Sequence, residues 1–164
     1  MWHREAESKE ETMILDWLDS RPFTTLFVDG NHENHDRLDA MPVSEWNGGK
    51  VHFVRPNVIH LMRGQVFTLQ GQTYFTFGGA SSHDIQNGIL DPEAYAFGTQ
   101  DPDFKAKRKY LDSMNAMYRI KGVSWWEREL PNEQEMAEGL ENLKKCENKV
   151  DYIISHSPCT SDMF

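Results

Sequence analysis

The sequence predicts an α/β protein with a site at the carboxyl ends of two apolar strands. The first strand, "TTLFV" (residues 24–28), runs straight into Gly30, Asn31, His32 and Glu33. The second, "VDYIIS" (residues 150–155), runs straight into His156. Helical periodicity on either side of a block of short β-branched and aromatic runs gives the order helix–strand, strands, helix–strand. In such layouts, ligand-binding groups gather where the backbone leaves the sheet.

Residues 5–18 read as a helix, with Met13, Ile14, Trp17 and Leu18 as its apolar face. Pro22 stops it, because proline pushes the preceding residue out of helical geometry. The nearly continuous apolar run 24–28 has the pattern of a strand covered on both faces. Residues 34–40 make a helical turn or two before Pro42. Four strand-like runs follow, "VHFV", "NVIHLM", "QVFTLQ" and "TYFTFGG", separated by Pro56, Arg63-Gly64 and Gly71. The last two alternate about Gly71 and predict a hairpin. Residues 85–118 are turn-rich, then place Phe104, Leu111, Met114 and Tyr118 at helical spacing. Residues 132–146 predict a helix capped by Asn132 and Glu135, with Met136, Leu140 and Leu143 as the buried stripe.

A chain of 164 residues supports one domain. A net charge of −9 argues against a nucleic-acid polymer as partner, since phosphate backbones select basic patches. A small phosphorylated substrate stays open, because metal ions can supply the positive charge. The two cysteines, Cys146 and Cys159, form no C-x-x-C pair and fit a reducing compartment. No apolar run has membrane-span length, and "MWHREAESKEE" lacks the apolar stretch of a secretory signal. The expected location is cytoplasmic.

Two chemistries are disfavoured by spacing. A helical zinc-protease motif needs histidines four apart, whereas His32 and His35 in "HENH" are three apart. Nothing near Cys159 would activate a thiolate, and the serines of "GGASSHD" lack the nucleophile-elbow pattern.

A third chemistry fits. "FVDGNHE" resembles the G-N-H-[DE] block of the calcineurin-like metallophosphoesterases, and "YIISHSP" resembles that family's later metal-histidine block. "TFGGASSHD" and "GVSWWERELP" are similar to the intervening segments of small bacterial members. The resemblance runs from about Leu26 to Pro158, in the family's order. It implies a two-layer β-sandwich flanked by helices, hydrolysing phosphate mono- or diesters through two divalent metals, with Mn, Fe or Zn suited to the donors. Asn31 and His156 match ligands of one metal. His32 matches the histidine that faces the substrate phosphate and stabilises the transition state or protonates the leaving oxygen. Glu33 would hold His32 or the turn from behind, and Gly30 would shape it. His83 and Asp84, after Gly78-Gly79, would approach the site. His35, His52 and His60 match no motif and are expected to be structural or superficial. Trp125 and Trp126 are expected to pack.

The family's early D-x-H and G-D blocks and its late G-H-x-H block have no match in this sequence. Trp2 and the helix after it resemble the segment that succeeds the G-D block in the family. The expectation is therefore an incomplete domain, weakly active or inactive alone, with strands left free to pair with another copy. The alternative is a non-catalytic binding or assembly module that keeps the fold. The stretch 85–118 is expected as an insertion, either a cap over the site or a surface excursion.

Overall fold

Ser8 opens the first helix, α1 (Lys9–Asp19), with a capping box: its hydroxyl accepts from the Glu11 N–H while the Glu11 carboxylate accepts from the Ser8 N–H. This closes two of the donors that a helix start leaves open. The structure, a computed structural model, describes residues 6–158; Trp2, the predicted helix start at Glu5, and Cys159 lie outside them. Leu15 and Leu18, three apart and so on one face, pack on Val54, Val58, Phe27 and Met41. The predicted face is therefore displaced. Met13, Ile14 and Trp17 are exposed, and the Arg21 guanidinium lies over the Trp17 ring. Arg55 ties the helix to its sheet through Glu7 and Asp16.

The described chain is mixed α/β. One sheet has the order β1-β4-β3-β2, formed by β1 (Thr25–Phe27), β2 (Val43–Trp46), β3 (Gly49–Arg55) and β4 (Val58–Leu61). β1 runs parallel to β4, and the other pairs are antiparallel. β2 is not among the strands expected from the sequence. It turns into β3 at Asn47-Gly48, where φ is 49° and 95°, the geometry of a tight two-residue hairpin. The strand expected to be covered on both faces is instead half-buried, and among the described residues it pairs with β4 alone.

The second sheet has the order β5-β6-β9, formed by β5 (Gln65–Leu69), β6 (Gln72–Phe77) and β9 (Tyr152–Ser155). β5 and β6 form the expected hairpin, turning at Gln70-Gly71 with φ of 52° and 80°. β9 joins β6 in parallel, so β1 and β9 each reach the site from a parallel pairing. The sheets share a core in which Phe67 of the second meets Val51, Ile59 and Leu61 of the first.

The C-terminal helix, α4 (Glu133–Lys145), has the predicted Asn132/Glu135 capping box. Its predicted stripe is only partly its buried face: Leu143 is half-buried, but Met136 and Leu140 are exposed, and Gly139 is the buried residue. The reason is backbone contact. A Cβ on Gly139 would stand 3.2 Å from the Gly64 Cα, so the helix docks on its glycine and turns Met136 and Leu140 outward.

Residues 85–118 lie within a small unit of their own. A parallel pair, β7 (Ile89–Leu90) and β8 (Arg119–Ile120), and a helix, α3 (Pro102–Ser113), enclose Leu90, Phe104 and Ile120. The helix stops before the predicted Tyr118 because Asn115 turns left-handed, at φ 50°. Among the described residues, no helix is long and apolar enough to cross a membrane.

Candidate functional site

The chain leaves β1 through Val28, Asp29, Gly30 and Asn31 before entering α2 (His35–Asp39). Asn34 is the cap of that helix, accepting from the Arg37 N–H at 3.1 Å. Asn31 is thus spared the capping role that its place before a helix would suggest. It is buried, and its amide group donates to the Ser82 Oγ at 3.4 Å, while its Oδ1 accepts no hydrogen bond among the described residues. Glu33 folds back over the turn. One carboxylate oxygen accepts from the backbone N–H groups of Gly30 and His32, each at 3.1 Å.

His156 arrives from the other sheet, one residue past β9, and its ring lies on Gly30. A Cβ on Gly30 would fall 2.6 Å from the His156 Nδ1 and 2.8 Å from its Nε2, closer than any side chain tolerates. The absence of a side chain at position 30 is what lets the two strand ends meet. His156, far along the sequence, is thereby brought against the residue that precedes Asn31.

The loop after β6 forms the next wall. Ser82 is held by Glu129, which accepts from its N–H and its hydroxyl, both at 2.8 Å, and from the Trp125 indole at 3.0 Å. Trp126 is buried and donates to Asp36. Both tryptophans therefore pack, as expected. His83 is exposed, whereas Asp84 pairs with Arg119 at 2.6 Å, and that guanidinium reaches the exposed ring of His32. The hydrogen bonds from Arg119 hold the Asp84 carboxyl below its ordinary range.

Beneath the turn lies a charged network that sequence reasoning missed. Asp29, 1% exposed, accepts from the His60 Nε2 at 3.2 Å and from the Arg63 Nε at 2.9 Å. Arg63 adds a second bond through Nη2 and reaches Glu135 of α4. Burial opposes ionisation of Asp29, but the hydrogen bonds from His60 and Arg63 and the Arg63 charge outweigh it, holding the carboxyl far below its usual range. His60 in turn meets His52, Nδ1 to Nδ1, at 3.2 Å. With the His60 Nε2 proton given to Asp29, a consistent assignment has His52 as the donor of that contact. Burial and the neighbouring His60 push His52 down to about 4. His35, also pushed down by burial, sets its Nε2 3.2 Å from the Gly30 carbonyl.

The three motif-free histidines are thus buried and structural, and they support the turn from below. The readable signal was Asp29 itself: a carboxylate next to an apolar strand must find a partner if it is buried. Nothing local marks His60 or Arg63 as that partner.

Asn31 and His156 are suitable donor types for a borderline divalent cation: a neutral amide oxygen and an imidazole. Among the described residues, no group of three or more His, Cys, Asp or Glu is placed to hold a metal ion. No family model matches the chain, and neither a curated protein nor a solved structure does.

Proposed function

We propose that this chain carries one arm of a metal-dependent phosphoesterase site of the calcineurin-like type, acting on phosphate mono- or diesters, with the two-layer fold of that family. The observation that carries the reading is the His156 ring lying on Gly30, the residue just before Asn31, so that the ends of strands from two different sheets come together there. Asn31 and His156 would hold a divalent ion, Mn, Fe or Zn, one of the two used by such sites. When bound, the ions would supply Lewis acidity and an activated water.

The protein's own residues do the rest. Glu33 closes the turn and so fixes where the His32 backbone leaves it. His32, exposed beside that turn, is the group to stabilise charge on the phosphoryl oxygens or to give a proton to the leaving oxygen. The buried Asp29–His60–Arg63 network and His35 hold the turn rigid from beneath, as a preorganised site requires. Two neutral ligands without a bridging carboxylate bind a cation weakly, so activity of this chain alone is slow or absent.

A second reading, a non-catalytic assembly module, draws on the apolar residues left exposed on β9 and α4, Ile153 and Leu140 foremost. Hydrolysis of an aryl phosphate in excess Mn²⁺ separates the two. Slow turnover that a chelator stops, and that Asn31→Ala and His156→Ala each abolish, supports the esterase. Turnover indifferent to the chelator and to both substitutions, or Mn²⁺ binding that neither substitution weakens, refutes it in favour of the module.

A further inference from the structure

Arg119 opens β8, the strand at the far end of the 85–118 stretch, and its side chain is 11% exposed. A guanidinium carries five N–H donors in a fixed plane. One edge is fully used. Nε lies 2.9 and 3.0 Å from the two Asp84 carboxylate oxygens, and Nη2 donates to that carboxylate at 2.6 Å. Nη1 donates to the Ser124 carbonyl at 3.1 Å. Two donors remain, one on each terminal nitrogen, and both face His32. Nη1 lies 3.5 Å from Nδ1 and Nη2 lies 3.4 Å from Nε2.

That last arrangement cannot satisfy both donors. A neutral imidazole has one acceptor nitrogen and an imidazolium has none. At least one N–H of this edge is therefore under-bonded, in a group whose opposite edge is clamped by a carboxylate. The two terminal N–H groups match the spacing of two oxygens of a phosphoryl group, the pairing for which arginine is chosen over lysine.

We infer that Arg119 is a substrate-binding residue, gripping two oxygens of a phosphoryl group beside His32. A modest turn of the exposed His32 ring admits the anion, which then takes both Arg119 donors and an imidazole N–H. Asp84 acts as the positioning residue that keeps the free edge aimed at the site. The 85–118 unit gains a role thereby: its parallel β7–β8 pair and its own core fix the strand from which Arg119 projects. The inference rests on the phosphoesterase reading for the identity of the anion, not for the geometry.

Titration with inorganic phosphate, followed by NMR of the Arg119 side-chain Nε–H and by calorimetry, tests it without requiring turnover. The expected result is saturable binding that shifts the Arg119 signal. Arg119→Gln should weaken it about tenfold or more, and Arg119→Lys should weaken it by less, since the charge survives but the fork does not. Circular dichroism identifies a variant that has lost its fold, and Arg119→Lys keeps the comparison decisive in that case. No phosphate binding by the unmodified chain, or equal binding by the variants, overturns the assignment. Phosphate held through Arg119, with Mn²⁺ binding that neither Asn31→Ala nor His156→Ala weakens, would uphold this inference and refute the esterase.

Discussion

The imidazole of His156 rests on the backbone of Gly30, with Nδ1 2.6 Å from where a Cβ would stand. Two strand ends from separate sheets are brought together by the one residue type that leaves room. Gly78 meets a harder neighbour, since its Cβ would overlap the buried Asp29 carboxylate and lie 2.8 Å from the Asp29 carbonyl oxygen. The His156 ring is exposed and can swing aside, whereas Asp29 cannot. Gly30→Ala is expected to cost less than about 1 kcal/mol of stability, and Gly78→Ala about 3 kcal/mol or the fold itself. Urea denaturation of the two variants should give that order; equal losses would contradict the packing described.

The Asp29–Arg63 pair is buried at both ends. Removing one partner strands the other charge away from water, which costs about 3–5 kcal/mol. Arg63→Met is expected to fall in that range by chemical denaturation. Adding Asp29→Asn to it should cost less than the sum of the single changes, because the stranded carboxylate is then gone. Additive losses would show that the two side chains act independently.

Stability should decline in mild acid. In the unfolded chain a histidine takes up its proton near pH 6.5, but His52 in the fold resists until about 4. The unfolded state then binds more protons between these values, so stability falls as pH drops from about 6.5 to 4. The loss from His52 is of the order of 2–3 kcal/mol. His35 shifts in the same direction, and Asp29, whose carboxyl is held low, adds its loss below the ordinary carboxylate range. Urea midpoints at pH 7, 5 and 4 measure the slope. His52→Gln, which retains a donor toward His60, should flatten it, and an unchanged slope would remove His52 from the account.

Much of this architecture was legible in the sequence. Local chemistry dictates the Asn132/Glu135 capping box, the Gln70-Gly71 hairpin and the delivery of Asn31 and His156 by apolar strands, and local chemistry can be read along a chain. The faces of α1 and α4 were not legible. Periodicity shows that an apolar stripe exists, but the Gly64–Gly139 contact decides which side of α4 docks. The β2–β3 hairpin has its turn signal in Asn47-Gly48, but the pattern of β2 begins just after Pro42 and is masked by it. Arg119 and the Asp29 network join residues distant in sequence, and no spacing rule connects them.

The sheet edges carry their own expectation. Among the described residues, β1 pairs with β4 alone and β9 with β6 alone, while Ile153 on β9 is 69% exposed. Open edges with apolar residues seek another strand. Sedimentation velocity should show self-association that grows with concentration and is reduced by Ile153→Lys, a charge at such an edge. A monomer across the concentration range would rule out edge pairing.

The central claim is that Asn31 and His156 form one metal-binding corner, and paramagnetic broadening by Mn²⁺ reads it most directly. Titrated into the folded chain, Mn²⁺ should broaden NMR signals around Gly30, Asn31 and His156 first, with weak affinity, and each of Asn31→Ala and His156→Ala should remove the effect. Broadening centred elsewhere, or broadening at this corner that survives both substitutions, would contradict it.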